Sequence, residues 1–254
     1  MPAFSRYDTL WEQPSRAPVH PQAVTVAISL FNYQRFLEAC LDSVSAQSHP
    51  RLELIVVDDD SRLDDSTGAA RAWMERHADR FEHSLLLKHV HNRGLAAARN
   101  TAFALARTDY VFVLDADNVV YSDAVARLFA MVTDEPYDAA YSQIEIFGDR
   151  QGLGTADVWS RRRLALGPYI DAMSLVRRRS WEQVGGYDHI EGGWEDYDFW
   201  CKFAEAGMTG LFVPEVLCRY RVHGSSMTLE HTSKLLSQIP IKMTARHPWL
   251  RLPR

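Results

Sequence analysis

Two carboxylates one residue apart, Asp115-Ala116-Asp117, end the apolar run Val111-Phe112-Val113-Leu114. Residues two apart on an extended chain point to the same side. Like charges held that close raise each other's pKa unless a cation lies between them. A hard divalent ion with oxygen ligands, Mn2+ or Mg2+, suits such a pair, and Mg2+ commonly completes its shell with phosphate oxygens. The competing use is structural: Asp117 and Asn118 could cap the next helix or shape a turn. The apolar run is too short for a membrane span and fits a strand buried on both faces. Open α/β sheets bind ligands at the C-terminal ends of such strands, which favours the metal.

Other charged groups need the same sheet edge. Asp58-Asp59-Asp60 closes the apolar run Leu52 to Val57. One of these acids could accept a nucleobase N–H, or they could cap the helix from Ser66 and shape the turn. Arg99 shares a helical face with Leu95, Ala102 and Ala106, which puts a cation on an inward side just after Gly94. That suits a phosphate, or a salt bridge to an acidic loop. In Gly192-Gly193-Trp194-Glu195-Asp196-Tyr197-Asp198-Phe199-Trp200, Asp196 falls on the face of Phe199, Trp200 and Phe203, and Asp198 falls opposite with Lys202 and Glu205. A carboxylate desolvated among aromatics has a raised pKa and serves as a general base. At a helix start it could also cap backbone N–H groups. His223, in Tyr220-Arg221-Val222-His223-Gly224-Ser225-Ser226, is either a turn residue or a metal or phosphate contact.

The elements that position these groups alternate strand and helix. Strands are expected at Val24–Leu30, Leu52–Val57, Ser84–Val90 and from Tyr110. Helices lie between them, from about 66 to 79 and from 95 to 106, with another after Ser122. That is the pattern of a parallel α/β sheet with right-handed crossovers. Beyond about residue 137 the pattern becomes mixed: strands at 138–147 and 173–176, a helix from Asp196 to Ala206, and late strands at Leu211–Val213 and Val216–Val222. Residues 1–22 carry Pro2, Pro14, Pro18 and Pro21 and read as an extended arm. Residues 23–228 form the main domain, divided at 136/137 into a nucleotide-binding and a catalytic half, and 229–254 form a helical tail. The tail's Lys242, Arg246, Arg251 and Arg254, with Trp249, could meet an anionic membrane surface or pack as a plain helix.

The 254 residues carry a net charge of −5 and no zinc-finger spacing or basic stripe, so nucleic acid is not an expected partner. Three separated cysteines read as reduced and buried, and no apolar stretch reaches the length of a spanning helix. A cytoplasmic protein is expected, in peripheral contact with the inner membrane face if the tail binds lipid.

Taken in order, V-T-V-A-I-S-L-F-N-Y, V-V-D-D-D-S, N-R-G-L-A-A-A-R-N, L-D-A-D-N, V-G-G-Y-D, W-E-D-Y-D-F-W and Y-R-V-H-G-S-S resemble the family 2 glycosyltransferases. The resemblance implies a GT-A fold and inverting transfer of a sugar from a nucleotide-diphosphate donor to a carbohydrate or glycolipid acceptor. By the same resemblance, Ser29 and Phe31 line the base pocket, Asp59 accepts the base N–H, and Arg99 lies near the donor. Asp115 and Asp117 look like the D-x-D pair, Asp117 being the metal ligand. Asp196 looks like the catalytic base, and His223 like the late histidine beside the diphosphate and metal. Asp60 departs from the pattern, since many relatives have Gly there. Two other readings are a nucleotide-sugar-binding module without turnover and a nucleotidyltransferase. The latter would need a Gly-rich loop where Phe31-Asn32-Tyr33 stands.

Overall fold

The computed structural model describes residues 5–15, 17–133, 136–224, 235 and 237–253; Pro2, Ser225, Ser226 and Arg254 lie outside these. Along the chain, β1 (Tyr7–Gln13) and β2 (Val24–Leu30) precede α1 (Gln34–Ser45), β3 (Leu52–Asp58) and α2 (Ser66–Arg76). Then come β4 (His83–His89), α3 (Leu95–Leu105), β5 (Tyr110–Asp115), β6 (Val119–Val120) and α4 (Ala124–Thr133). The later part contributes β7 (Ala139–Gly148), β8 (Gly152–Leu153), α5 (Arg161–Leu164), β9 (Ser174–Arg177), α6 (Arg178–Gln183), α7 (Glu195–Glu205), β10 (Gly210–Val222) and α8 (Ile239–Arg246).

One sheet runs in the order β1-β4-β3-β2-β5-β9-β7-β10-β6, with β8 appended to β7. Strands β4, β3, β2 and β5 are mutually parallel. The chain moves outward from β2 through β3 to β4, then returns to place β5 on the other side of β2. The crevice at such a reversal is where open α/β sheets take ligands. Register brings the candidate residues to that edge: Ser29 pairs with Asp115, and Leu30 with Asp58.

The central strands are buried on both faces, as continuous apolar runs require. Val24, Val26, Ile28, Leu30, Phe112 and Leu114 meet α1, α2 and α4 on one face. Ala27, Val57, Val111 and Val113 meet α3 and α7 on the other. Alanines at 96, 98, 102 and 106 let α3 lie close to the sheet. At the opposite end of the sheet, the fully buried Glu53 carboxylate sits between Arg107 and His83. Burial alone would raise its pKa, but hydrogen bonds from His83 and Arg107 hold it below the ordinary range. Glu53→Gln is expected to cost about 1–3 kcal/mol of stability at neutral pH, read by chemical denaturation. A depressed folded pKa gives stability that is lost as pH falls through it, so wild type and variant should converge in acid.

The structure departs from the sequence expectation in three places. The proline-rich arm contributes a paired edge strand, since β1 lies antiparallel to β4 and half-buries Trp11 against the core. The two late strands are one, β10, whose register against β7 slips between Val213 and Val216 around Pro214, a residue with no N–H for the ladder. Asp198 is fully buried, because the C-terminal segment covers the face of α7 on which it lies. The tail is the packed helix of the two alternatives: Ile239 and Met243 are buried, and Lys242 and Arg246 pair with Glu191 and with Asp188 and Asp198.

Candidate active site

The edge formed by β2, β3 and β5 opens onto Phe31, whose ring is 44% exposed beside the buried Ser29. An aromatic left in solvent at a ligand-binding edge offers a stacking face. The three acids after β3 have separate duties. Asp58 accepts from Ser61 N (2.7 Å) and Thr67 Oγ1, and so builds the turn. Asp59 accepts from His89 Nδ1 (2.5 Å), Arg93 N (2.9 Å) and Gly94 N (2.7 Å), fastening the loop that opens α3. Arg93 N also reaches Asp59 Oδ2 at 3.2 Å, so a further donor would have to replace the longest of these contacts. Asp60 takes φ of 66°, the left-handed region in which Gly is at ease, and pairs with Arg62. A left-handed turn is thus made here with a charged side chain.

Arg99 is buried, and its guanidinium bonds both oxygens of Asp115, at 3.1 and 2.9 Å, so the expected salt bridge is present. It also lies 5.3 Å from the Tyr187 ring centre. Burial works against its charge, but Asp115, then Tyr187, Asp196 and Glu195, raise its pKa and keep it cationic. Around this one cation stand Asp115, Asp171, Glu195 and Asp196. Burial pushes Asp171 and Glu195 up to about 7. Asp196 is raised too, chiefly by burial and further by Asp115, with Arg99 opposing. Its Oδ1 accepts from Tyr197 N at 2.8 Å, a bond that draws it down, so the expected contact to a backbone N–H of the helix start is made. Trp194, immediately before α7, has φ of 74°, a conformation unusual for a bulky residue that costs about 1–3 kcal/mol and marks functional sites.

Asp117 follows Asp115 by two residues and feels its charge. Its Oδ2 is 3.0 Å from His223 Nε2, and Arg221 Nε donates to its main-chain oxygen at 2.8 Å. Asn118 does not cap a helix; its Oδ1 accepts from Arg221 N at 2.8 Å. Strand β10 thereby carries His223 to the D-x-D turn. The His223 ring also meets Arg35 Nη2 through Nδ1 (3.3 Å) and packs on Phe36, 4.5 Å between ring centres. Burial raises the pKa of Asp117, Asp115 raises it further, and His223 opposes.

A carboxylate oxygen and an imidazole nitrogen this close fit a hard or borderline divalent cation in ligand type, and a shared proton is what such a cation displaces. Among the described residues no group of three or more His, Cys, Asp or Glu converges on one point. Asp117 and His223 would therefore need donor oxygens and water to complete a coordination shell.

Several residues were missed in the sequence. Arg221 could have been found, because it stands two before His223 on a strand and so faces the same side. Asp171 has no motif around it, and Glu195 was passed over for its neighbour.

Residues 25–182 match glycosyl transferase family 2, and the chain belongs to that family. An uncharacterized glycosyltransferase of Nostoc is 35% identical over 248 residues, covering 88% of this chain and 74% of that protein. The glycosyltransferase GlyA of Streptococcus pneumoniae is 29% identical over 130 residues, 51% of this chain but only 18% of GlyA. Two solved structures share the mixed α/β sheet with flanking helices of the GT-A fold. S. aureus TarS with UDP-GlcNAc superposes with a TM-score of 0.70 at 14% identity, over 87% of this chain and 66% of TarS. The Pyrobaculum calidifontis mannosyltransferase PcManGT, with GDP-Man and Mn2+, gives 0.67 at 23%, over 92% and 67%.

Proposed function

We propose that this chain is a metal-dependent inverting glycosyltransferase. It moves a sugar from a nucleotide-diphosphate donor to an acceptor hydroxyl on a carbohydrate or glycolipid, in surface polysaccharide or glycoconjugate synthesis. The observation that carries this is the meeting of two acidic groups about Asp115: Arg99, which stands among Glu195 and Asp196, bonds the Asp115 carboxylate, and Asp117, two residues on, pairs with His223. Family membership and the nucleotide sugars held by TarS and PcManGT support it.

In this scheme the base of the donor stacks on Phe31, with Ser29 and Asp59 reading its polar edge, a base N–H taking the place of the long Arg93 contact to Asp59. Asp117 and His223 would hold Mn2+ or Mg2+, which would neutralise charge on the leaving diphosphate. Arg99 fixes Asp115 and keeps the neighbouring acids ionisable. Asp196 takes the acceptor proton as the oxygen attacks the anomeric carbon from the face opposite the leaving group. A single displacement inverts that centre and needs no covalent enzyme intermediate.

The three buried, unpaired cysteines fit the cytoplasm. No helix among the described residues is long and apolar enough to cross a membrane.

The first test is a calorimetric screen of UDP-, GDP- and dTDP-sugars with each metal. One of them should bind, and its sugar should appear on an acceptor or be slowly hydrolysed. Binding of none would remove the proposal. A second expectation concerns pH. Arg99 lowers the pKa of Asp196 and Glu195, so Arg99→Gln should move the acid limb of the kcat/KM profile to higher pH. A limb that stays in place would dissociate Arg99 from the base.

A further inference from the structure

The C-terminal segment ends in an arrangement that no part of the scheme above uses. His247 is buried against α7, with Nε2 3.0 Å from Asp198 Oδ1 and Nδ1 2.8 Å from Glu205 Oε1. A neutral imidazole has one N–H and could satisfy only one of these carboxylates; both contacts require the doubly protonated cation. Arg246 donates to the same Asp198 oxygen at 2.7 Å and to Asp188 at 2.5 Å. Lys202 stands 3.5 Å from the other Asp198 oxygen and 3.3 Å from Asp188, and Trp249 Nε1 donates to Glu205 at 2.7 Å. Among the described residues, Asp198, Glu205, Arg246, Lys202 and Asp188 are the charged groups about the ring. Asp198 lies in the first turn of α7, two residues beyond Asp196, and Glu205 is its last residue, so His247 spans the helix that carries the base. The same segment supports the approach to that helix. A Cβ on Gly192 would come within 2.9 Å of Leu235 and 3.1 Å of Ile239, so α8 packs directly behind the loop leading to the strained Trp194.

We propose that His247, as an imidazolium clamped between Asp198 and Glu205, is a positioning residue for sugar transfer. It fixes α7 and thereby sets Asp196 against the acceptor oxygen, which makes the C-terminal segment part of the catalytic apparatus. This rests on Asp196 being the base. Burial would lower the pKa of His247, but its hydrogen bonds to Asp198 and Glu205 outweigh that and raise it above the ordinary imidazole value. A raised folded pKa means the clamp is complete below the ordinary imidazole range and is lost as pH rises through the raised value. Asp196 works in the opposite sense, since it must lose its proton to act. Activity should therefore peak between an acid limb set by Asp196 and an alkaline limb set by His247.

The test compares the full chain with His247→Gln and His247→Arg. His247→Gln should lower kcat about 10- to 100-fold, the cost of a misplaced reacting group, with KM for the donor unchanged and the alkaline limb gone. His247→Arg, cationic throughout, should restore much of kcat and push that limb upward. A residue that merely stabilised the fold would change neither the limb nor the kcat-to-KM split. If His247→Gln does not fold, Glu205→Gln should shift the alkaline limb to lower pH. A readout independent of turnover is NMR titration of His247 together with hydrogen exchange of residues 195–198. The ring should titrate above the ordinary imidazole value, and protection should fall across the same range. Titration at or below that value, or protection indifferent to it, overturns the clamp even if transfer is observed. Absence of transfer by wild type, with the titration as expected, would count instead against the proposed sugar transfer on which the clamp rests.

Discussion

Replacing Asp196 with Asn is expected to lower kcat about 100- to 10,000-fold, the range for removing a general base, while donor affinity stays within a few-fold of wild type. The assignment of roles gives the reason for the split. Asp196 is carried by α7, whereas Ser29, Phe31 and Asp59 belong to the ends of β2 and β3, so a neutral isostere at 196 removes no contact assigned to the nucleotide. It does remove the acceptor for the proton of the attacking hydroxyl. Asn is close in shape and can keep the contact to Tyr197 N, so α7 should remain folded and the loss should reflect chemistry. Single-turnover kinetics with a saturating donor separate the two effects. Activity within a few-fold of wild type would place the base elsewhere, and Glu195, buried and raised to about 7, would be examined next.

Asp117→Asn should be comparably damaging for a different reason. It removes the carboxylate that faces His223 at 3.0 Å and leaves an imidazole and an amide, a poor pair for a hard cation. Mn2+ affinity in the presence of donor, followed by electron paramagnetic resonance of the free ion, should fall about 10-fold or more, since even outer partners of a metal ligand contribute that much. Turnover should fall with it. His223→Gln should have the smaller effect, because the carboxylate with its charge remains. Unchanged Mn2+ affinity in Asp117→Asn would exclude this residue as a ligand.

Much of this was legible in the chain because burial leaves a direct trace. Val24–Leu30 is apolar apart from Thr25 and Ser29 since both of its faces are covered, and its limits match β2 residue for residue. Asp115 and Asp117 were legible because charges that end a buried strand have to serve at its rim. What remained hidden depends on long-range meetings that spacing does not encode. The Asp117–His223 contact joins residues 106 positions apart, through a strand whose continuity past Pro214 only the sheet explains. The periodicity of α7 correctly set Asp198 opposite Asp196, but it could not say that Arg246 and His247 would cover that face. For Asp59 the difficulty was chemical: a carboxylate that looked free for a nucleobase is held by His89 and two main-chain N–H groups.

The most direct measurement of the central claim is a calorimetric titration of the cognate nucleoside diphosphate into the wild-type chain, in Mn2+ and again in EDTA. The two carboxylate variants are run alongside. Tight binding in Mn2+, loss of at least about 10-fold in EDTA and in Asp117→Asn, and retention in Asp196→Asn are the predicted pattern. Equal affinity with and without the metal, or loss of binding in Asp196→Asn, would contradict a cleft in which one acid serves the ion and another serves the incoming alcohol.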